Sequence, residues 1–410
     1  MSTDDPLAAA LAAAGLTPAP TEPDDPLAAA LAAAGLGPAV AAAPGGSSSV
    51  VDRPSEEPDT AVAPRPRWPE GTATGVGSMP GTDVREAAAT VVGELPLLPH
   101  LPELPARGVG ADMIGRTAAL LVDIAVEVWP SGYRVASRAG IDHRRADDLL
   151  RGDLDAFDEA CDPIRPAWVK VQAAGPWTLT AGVELHTGHR VLTDRGAVRE
   201  FAASLTEGLR AHVAEVAART GAQVVLQLDE PSLPAVLGGL VPTPSGYGTV
   251  RSVSETAVKD VLRDLMAAVG VPVVLHCCAD DAPLRLLADL DAAAISVDAT
   301  RPAVSGRSAV PAALDRLGEI WDAGTPLLLG LVPATGLGDR VTAPDLARRA
   351  FDLADRLGFA RARLAGLAVP TPTCGLAGAT PDGARRAMAL CRELGHIFTD
   401  PDEQRETDGP

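Results

Sequence analysis

From Trp68 onward, short apolar runs alternate with longer segments in which apolar residues recur every three or four positions. The short runs have the length and branched residues of strands, and the longer segments have the period of helices. This alternation favours an α/β fold, a parallel (β/α)8 TIM barrel, over a doubly wound sheet, since no glycine-rich phosphate loop follows the first strand. The predicted strands are Thr72 to Gly77, Trp168 to Ala173, Gln223 to Leu228, Val271 to His276, Ala293 to Val297, Pro326 to Leu331 and Arg363 to Val369. The predicted helices are 84–94, 113–128, 194–220, 252–269, 282–290, 308–323, 343–358 and 381–397.

The first 67 residues have a different pattern. Asp4 to Leu16 recurs without change as Asp24 to Leu36, and both copies are followed by Pro-rich sequence. Each copy has a capping Asp, a Pro in the first turn and a terminal Gly, but is too short for a stable isolated helix. We therefore predict a disordered tail over 1–67, the barrel over 68–399 and a second disordered tail over 400–410. The repeats either dock on a helper or partner protein or are a duplication without a role.

Composition excludes several other classes of protein. The 410 residues are 46% hydrophobic, which is enough to bury a large core. Five cysteines in a chain of this length do not indicate a disulfide framework, so a cytoplasmic location is predicted. The acidic start lacks the basic region of a secretory signal, and no apolar run is long enough to span a bilayer. A net charge of −19 argues against binding to nucleic acid or to an anionic membrane.

The most informative chemical signal is the triplet His276-Cys277-Cys278 at the end of an apolar run. Because side chains alternate along a strand, His276 and Cys278 project from one face and Cys277 from the other. An imidazole and a thiolate on one face are half of a tetrahedral zinc site, and Asp298 and Cys374, near the ends of later β-like runs, offer a carboxylate and a second thiolate. A buried His-Cys-Cys triplet is also compatible with core packing. The position of all four candidates at strand ends favours zinc, because a parallel α/β fold gathers functional groups there.

Two further strand ends are polar. Asp229 follows a buried-looking run, and alternation places it on the same face as Gln227. Gly77 and Ser78 follow the first predicted strand, and their small size allows the backbone to approach a ligand closely. Each end is also compatible with an ordinary βα loop. Their place on one rim with the metal candidates favours a substrate site.

Five motifs occur in order along the chain: Gly77-Ser78-Met79-Pro80, Leu226 to Ser232, His276-Cys277-Cys278, Ile295 to Asp298 and Cys374-Gly375-Leu376. Together they resemble the catalytic domain of the cobalamin-independent methionine synthases, over roughly residues 70–398. That family consists of (β/α)8 barrels related to uroporphyrinogen decarboxylase, and its zinc, held by His, Cys, Glu and Cys, binds homocysteine as a thiolate. The zinc ligands implied by the resemblance are His276, Cys278, Asp298 and Cys374. The residues implied to meet the amino-acid end of homocysteine are Val76, Gly77, Ser78 and Asp229, with Asp112 as the candidate for a second acidic contact.

The resemblance implies a zinc-dependent methyltransferase that makes methionine from homocysteine. A thiol must become a thiolate to attack a methyl group, and coordination to zinc deprotonates it near neutral pH. Asp229 is the predicted catalytic residue, because its bond to the substrate ammonium would fix the sulfur for in-line transfer.

Several departures from the family concern the methyl donor. The sequence shows no counterpart of the large amino-terminal barrel of the full-length enzymes, and Asp298 is one methylene shorter than the family's Glu. The segment Gly330 to Gly336 lacks the family's proton-donating histidine, and no tryptophan matches the one that packs on the folate ring, although Trp177 is close. The half of the site that activates the thiol is therefore predicted to be intact and the half that binds the methyl donor to be altered, so the donor is either methyltetrahydrofolate or another methyl carrier. Two alternatives stay open, a decarboxylase of the uroporphyrinogen type, suggested by Gly175 to Leu179, and a non-catalytic barrel that serves as a binding module.

Overall fold

The computed structural model describes residues 68–301 and 311–401. The predicted tail at 1–67, with its repeats, and residues 402–410 lie outside this part of the chain. The strands are β1 Ala125–Trp129, β2 Gly132–Ala136, β3 Trp168–Ala174, β4 Val183–Glu184, β5 Gln223–Asp229, β6 Val273–His276, β7 Ala294–Asp298, β8 Leu327–Val332 and β9 Ala368–Pro372. The helices are α1 Val84–Glu94, α2 Met113–Ala119, α3 Ile141–Cys161, α4 Pro176–Gly182, α5 Arg195–Thr220, α6 Leu233–Gly238, α7 Glu255–Val269, α8 Leu284–Ala288, α9 Pro311–Asp322, α10 Ala343–Leu357, α11 Leu364–Leu367 and α12 Pro381–Thr399. Among the described helices, none is both long enough and apolar enough to cross a membrane.

A curled, six-stranded parallel sheet forms the centre of the fold, in the order β3, β5, β6, β7, β8, β9. Its strands are nearly continuous apolar runs because helices cover the outer face and the inner face is turned into the curl. Trp68 and Trp168 close the amino-terminal end of the curl, with ring centroids 6.4 Å apart in an edge-on arrangement. The inner layer that packs on them is Leu98, Val225, Val274, Ala294, Leu328 and Val369.

Two extended segments lie between β9 and β3. Thr74 N donates to a carbonyl of β9 (3.2 Å), and Leu101 N donates to a carbonyl of β3 (2.8 Å). The two segments meet each other where Met79 N donates to Glu103 O (2.8 Å). These hydrogen bonds place the start of the described chain beside its last strand.

The prediction of a parallel α/β fold is confirmed, while the predicted eight-stranded barrel is found as six regular strands. The predicted strand Thr72 to Gly77 belongs to no ladder of the sheet, and the isolated bridge nearest to it pairs Ser78 with Glu103. Its neighbouring segment, residues 96–105, has proline at every third position. Proline has no N–H to donate, so a regular ladder cannot form there.

Two other predicted elements differ from the structure, and one helix was not predicted. The predicted helix 113–128 ends at Ala119, and β1 follows it and pairs antiparallel with β2. The predicted strand Arg363 to Val369 is helical until Leu367. Helix α3 was not predicted, although its buried residues have helical spacing. These residues are Ala146, Leu150, Leu154, Phe157 and Cys161.

Candidate active site

Polar side chains line the carboxyl ends of three neighbouring strands. Asp229 of β5 is in register with His276 of β6, and His276 is in register with Ser296 of β7. All three are buried, and alternation from the apolar layer below puts them on the inner face. The strand ends therefore bring a carboxylate, an imidazole and a hydroxyl side by side.

Two thiols meet beside His276. Cys278 follows β6 and Cys374 follows β9, and their Sγ atoms lie 3.4 Å apart. The hydrogen bond from Cys278, and after it the one from His276, lowers the pKa of Cys374, whereas donating that bond raises the pKa of Cys278. His276 is held from its other side, where its Nδ1 lies 2.8 Å from Ser296 Oγ. Cys277 is buried in the outer core, where burial raises its pKa to about 12, in agreement with the alternation along β6.

The four predicted zinc ligands converge only in part. Two thiolates bound at about 2.3 Å to a tetrahedral zinc ion lie about 3.8 Å apart, which is close to the separation of Cys278 and Cys374. Asp298 instead accepts hydrogen bonds from Thr300 N (2.9 Å) and pairs with Arg301 Nε (2.9 Å). Across the described residues, no group of three or more His, Cys, Asp or Glu side chains is arranged to hold a metal ion. Only the two thiols have a separation close to that of zinc ligands, and the carboxylate of Asp298 has a different set of partners.

Asp229 belongs to a buried hydrogen-bond network centred on Lys170. The Lys170 ammonium donates to Val76 O (2.9 Å), Gln172 Oε1 (3.2 Å) and Gln227 Oε1 (2.8 Å). Gln227 Nε2 in turn donates to Val76 O (2.9 Å) and to Asp229 Oδ1 (2.7 Å). Burial lowers the pKa of Lys170 to about 8 and raises the pKa of Asp229. The network fixes the carbonyl of Val76, a predicted substrate residue, close to Asp229.

Glu103 also lies at this site, although the sequence did not predict it. It is buried, forms an isolated bridge with Ser78, and its Oε1 lies 3.7 Å from Arg116 Nε. Burial raises the pKa of Glu103 to about 7, and the charge of Asp229 acts in the same direction. The sequence feature that could have indicated Glu103 is that it is the single carboxylate in an otherwise largely apolar, proline-rich run.

Asp112 has a different environment. Its Oδ1 accepts from Ile114 N (3.1 Å) and Gly115 N (3.0 Å), which caps α2. Its Oδ2 accepts from the hydroxyl of Tyr133. Both oxygens therefore hold α2 against β2, whereas Glu103 is a second buried carboxylate whose pKa responds to the charge of Asp229.

The loop at Gly77 and Ser78 connects the two ends of the site. Leu376 N donates to Ser78 O (2.7 Å), and a Cβ on Gly375 would come within 2.0 Å of Ser78 Oγ. A Cβ on Gly77 would lie 2.9 Å from Gln172 Cγ. Glycine is required at both positions because the backbone passes so close to a neighbouring side chain. The loop therefore lies against the Cys374 segment on one side and against the Lys170 network on the other.

Trp177 and Glu230 lie beside the site, at the start of α4. Glu230 accepts from Trp177 N (3.0 Å), Thr178 N (2.8 Å) and Thr178 Oγ1 (2.8 Å). Burial raises the pKa of Glu230 to about 7 despite these bonds. Trp177 is only 2% exposed, and its Nε1 has no hydrogen-bond partner in the described part of the chain. The Glu230 carboxylate therefore holds the start of α4, whereas the Trp177 indole N–H donates no hydrogen bond within the described residues.

Solved structures of known proteins share this fold. A B12-independent methionine synthase from Shewanella sp. W3-18-1, in complex with selenomethionine, is 12% identical with a TM-score of 0.52, and the match covers 82% of this chain and 99% of that chain. A methyltransferase from Methanosarcina mazei is 16% identical with a TM-score of 0.47, and the match covers 80% and 94% of the two chains. At 12% identity, the similarity to the Shewanella enzyme supports the fold and nothing more.

The family is established by the sequence itself. No curated protein matches the chain significantly. The family described as "Cobalamin-independent synthase, Catalytic domain" matches residues 71–396, which include every residue of the site described above. The chain therefore belongs to the cobalamin-independent synthases, whose catalytic domain it carries, and is a methyltransferase enzyme.

Proposed function

We propose that the protein methylates the thiol of homocysteine to give methionine, in a zinc-dependent reaction. The observation that carries this proposal is the meeting of the Cys278 and Cys374 thiols beside His276, next to the buried carboxylates Asp229 and Glu103. A substrate with a thiol at one end and an ammonium at the other matches this arrangement of metal ligands and acids. Homocysteine has both groups on one short chain.

The acidic end of the site is suited to a cation. Asp229 and Glu103 share the interior with one buried ammonium, that of Lys170, and Glu103 also lies 3.7 Å from Arg116, which forms its closer ion pair with Asp153. Burial raises the pKa of both carboxyls. A substrate ammonium would offset that cost, because a charge-assisted bond to a carboxylate is strong where water is excluded. Asp229 and Glu103 are the proposed ammonium ligands.

His276, Cys278 and Cys374 are the proposed zinc ligands, with Asp298 as the fourth ligand predicted from the family pattern. Bound zinc would keep the substrate thiol as a thiolate near neutral pH. The protein's own contribution is positional, since the carboxylates fix the amino end of the substrate and so direct its sulfur. The sulfur forms a bond to the methyl carbon as the bond from that carbon to the donor breaks, and the donor leaves with the electron pair.

The barrel and the cellular location belong to the same proposal. The hydrogen bonds from Thr74 to β9 and from Leu101 to β3 support an eight-stranded barrel that the two extended segments complete around the site. All five cysteines are free, which supports a reaction in the reducing cytoplasm.

Metal analysis of the purified protein tests the thiol assignment. We expect about one zinc per chain, lost in Cys278→Ser and in Cys374→Ser. Cys277→Ser is the matched control and should keep the metal, because its thiol faces the outer core. Homocysteine should shift the zinc X-ray absorption spectrum toward more sulfur ligation and release protons. Equal zinc loss in all three variants would contradict the ligand assignment, and no effect of homocysteine at zinc would contradict the function.

The methyl donor can be tested separately from the thiol site. The segment Gly330 to Gly336 contains no histidine, so the proton donor of the family is missing from its usual place. We therefore expect homocysteine to bind normally while methyl transfer from free methyltetrahydrofolate is slow, with another methyl carrier as the better donor. Binding by calorimetry and methionine formation by mass spectrometry measure the two steps. Rapid methionine formation from free methyltetrahydrofolate would refute the altered donor and leave the family assignment intact.

A further inference from the structure

Helix α2 carries a buried arginine that lies between two carboxylates. Arg116 Nη1 donates to Asp153 of α3, and Arg116 Nε lies 3.7 Å from Glu103 Oε1. The side chains of Arg116, Glu103 and Asp153 are 5%, 9% and 0% exposed. Arg116 therefore connects α3 to the acidic end of the proposed substrate site.

Asp153 fixes the position of Arg116. The same carboxylate also pairs with Arg107, whose Nη1 lies 2.7 Å from Asp153 Oδ1 and whose Nη2 donates to Asp153 Oδ2 (2.8 Å). Charge-assisted bonds of this kind hold the planar guanidinium in one orientation. Arg116 Nε is left on the side of Glu103, and it makes no hydrogen bond within the described part of the chain. The guanidinium thus acts on Glu103 by its charge and does not occupy the carboxylate with a hydrogen bond from Nε.

The charged groups that face Glu103 are Arg116 of α2, Asp229 of β5 and Lys170 of β3. Burial raises the pKa of Glu103 to about 7, and the charge of Arg116 is the strongest influence that lowers it, ahead of Lys170. Burial and the charge of Arg116 lower the pKa of His212 of α5 to about 4, so this imidazole is neutral at pH 7 and adds no charge. Without the guanidinium, Glu103 would be largely protonated near neutral pH.

We propose that Arg116 is a positioning residue of this methyltransferase, which keeps Glu103 ionised at neutral pH so that the carboxylate can bind the ammonium of the substrate. A protonated carboxyl would offer the ammonium a much weaker bond than a carboxylate does. Asp153 holds the guanidinium in place, and Arg116 itself does not touch the substrate. The inference rests on the proposed function, in which Glu103 is an ammonium ligand.

Removing one or the other member of the ion pair should shift the titration of Glu103 in opposite directions. Arg116→Gln removes the positive charge and should raise the midpoint by about one pH unit or more, since a nearby opposite charge shifts a carboxyl by about 1–3 units. Asp153→Asn removes a negative charge and releases Arg116 toward Glu103, so the midpoint should fall below that of the wild type. A purely structural role of the ion pair would predict a loss of stability in both variants and no such opposite shifts.

NMR of the full chain with carbon-13 in its glutamate carboxyls measures this midpoint without substrate. The signal of Glu103 is identified as the one that is missing from Glu103→Gln. The matched control is Arg134→Gln, which removes an arginine from the buried carboxylate of Glu184. Neither of these residues is among the groups that act on Glu103, so the control should leave the midpoint unchanged.

The affinity for homocysteine should follow the same titration. Calorimetry should find Arg116→Gln about tenfold weaker than the wild type near pH 6, because one pH unit below the midpoint changes the ionised fraction tenfold, and close to the wild type near pH 8.5. The ratio of the two affinities at each pH cancels the titration of homocysteine itself. Arg116→Lys keeps a positive charge and should recover most of the affinity near pH 6.

Unmoved midpoints in both charge variants, or shifts of the same sign, would overturn the role of Arg116 even if homocysteine binds. If one variant does not fold, the other still has a shift of defined sign to show. Absence of homocysteine binding to the wild type would instead refute the proposed function, and the substrate-free titration would still decide whether Arg116 sets the charge of Glu103.

Discussion

At the scale of single residues, the site depends on buried polar and charged side chains, and only some of them could be predicted from the sequence. Alternation along the strands predicts the face on which the side chains of Asp229, His276 and Cys278 lie, because each of these residues comes at the end of an apolar run. Glu103 could not be predicted in this way, because it lies in a proline-rich segment without a strand pattern, and only the folded chain places it beside Ser78. For Asp298, alternation along β7 predicts the face of the sheet on which the side chain lies, but it does not predict the ion pair with Arg301.

Lys170 provides a test of the buried network. Lys170→Met keeps the length of the side chain but removes the donor to Val76 O, Gln172 and Gln227. Leaving these buried acceptors unpaired should lower the free energy of unfolding by about 2–5 kcal/mol, measured by urea denaturation. The matched control is Lys259→Met, whose ion pair with Asp289 lies near the surface and is worth at most about 1 kcal/mol. Equal losses in the two variants would contradict a special role for the network.

Glu103→Gln should move stability and binding in opposite directions. Because the folded pKa of about 7 is above the ordinary value for glutamate, stability is highest at low pH and is lost as the pH rises from about 4.5 to about 7. The variant should therefore be more stable than the wild type at pH 8, by up to about 3 kcal/mol, and the difference should shrink toward pH 5. Homocysteine should nevertheless bind about tenfold more weakly, as calorimetry at pH 8 would show.

The control for this experiment is Asp112→Asn. Its effect should be confined to stability, at about 1 kcal/mol through the cap of α2, with unchanged affinity for homocysteine. Weaker homocysteine binding in Asp112→Asn than in Glu103→Gln would return the second acidic contact to Asp112.

At the scale of elements, five of the six parallel strands were predictable because each is a short, bounded apolar run, whereas the strand predicted over Arg363 to Val369 is helical until Leu367 and β9 begins only at Ala368. The missed elements lie where two patterns overlap. The apolar spacing of α2 continues through Asp123, which adopts a left-handed conformation with φ of 61°, and this turn separates the helix from β1. A helical period alone therefore extends the predicted helix too far.

Two glycines in helices make a matched pair for testing how closely the elements pack. A Cβ at Gly208 of α5 would lie 1.6 Å from Leu120 O, whereas a Cβ at Gly152 of α3 would meet nothing within 4 Å. Gly208→Ala should cost about 3 kcal/mol or more, since backbone must move. Gly152→Ala should stabilise by about 0.5–1 kcal/mol, because alanine is the better helix former. Chemical denaturation of both variants measures the contrast, and similar values would mean that α5 does not pack so tightly on the end of α2.

At the scale of the whole molecule, the alternation of strands and helices was sufficient to predict the α/β class but not how the sheet is closed. The two edges of the sheet meet residues 72–79 and 99–103, where the prolines accept but cannot donate and the remaining N–H groups pair only at intervals. Single-sequence patterns do not show such irregular pairing, because it follows from which segments are adjacent in space. The polar interior at Lys170 and Gln227 is hidden for the same reason.

Removal of residues 1–67 tests the proposed domain boundary. The sequence of that segment predicts no core of its own, and all the proposed ligands lie in residues 68–401. We expect the zinc content and the melting temperature to stay nearly unchanged. A deletion that continues through Trp68 is the control and should destabilise the protein, because it removes the ring that packs on Trp168. A fall of more than about 5 °C on removing residues 1–67 alone would show that they contribute to stability.

The hydrogen bond from Leu376 N to Ser78 O joins the first loop of the fold to one of its last. During synthesis the chain leaves the ribosome amino end first, so Ser78 and Asp229 are available long before Cys374. The loop at Gly77 and Ser78 therefore lacks this partner, and the second thiol is absent, until synthesis has passed Leu376. Such a long sequence separation between partners also slows folding. A chain interrupted before Cys374 would carry most of the sheet and the Cys278 thiol without the second proposed zinc ligand, so the proposed metal site could form only after synthesis has passed Cys374.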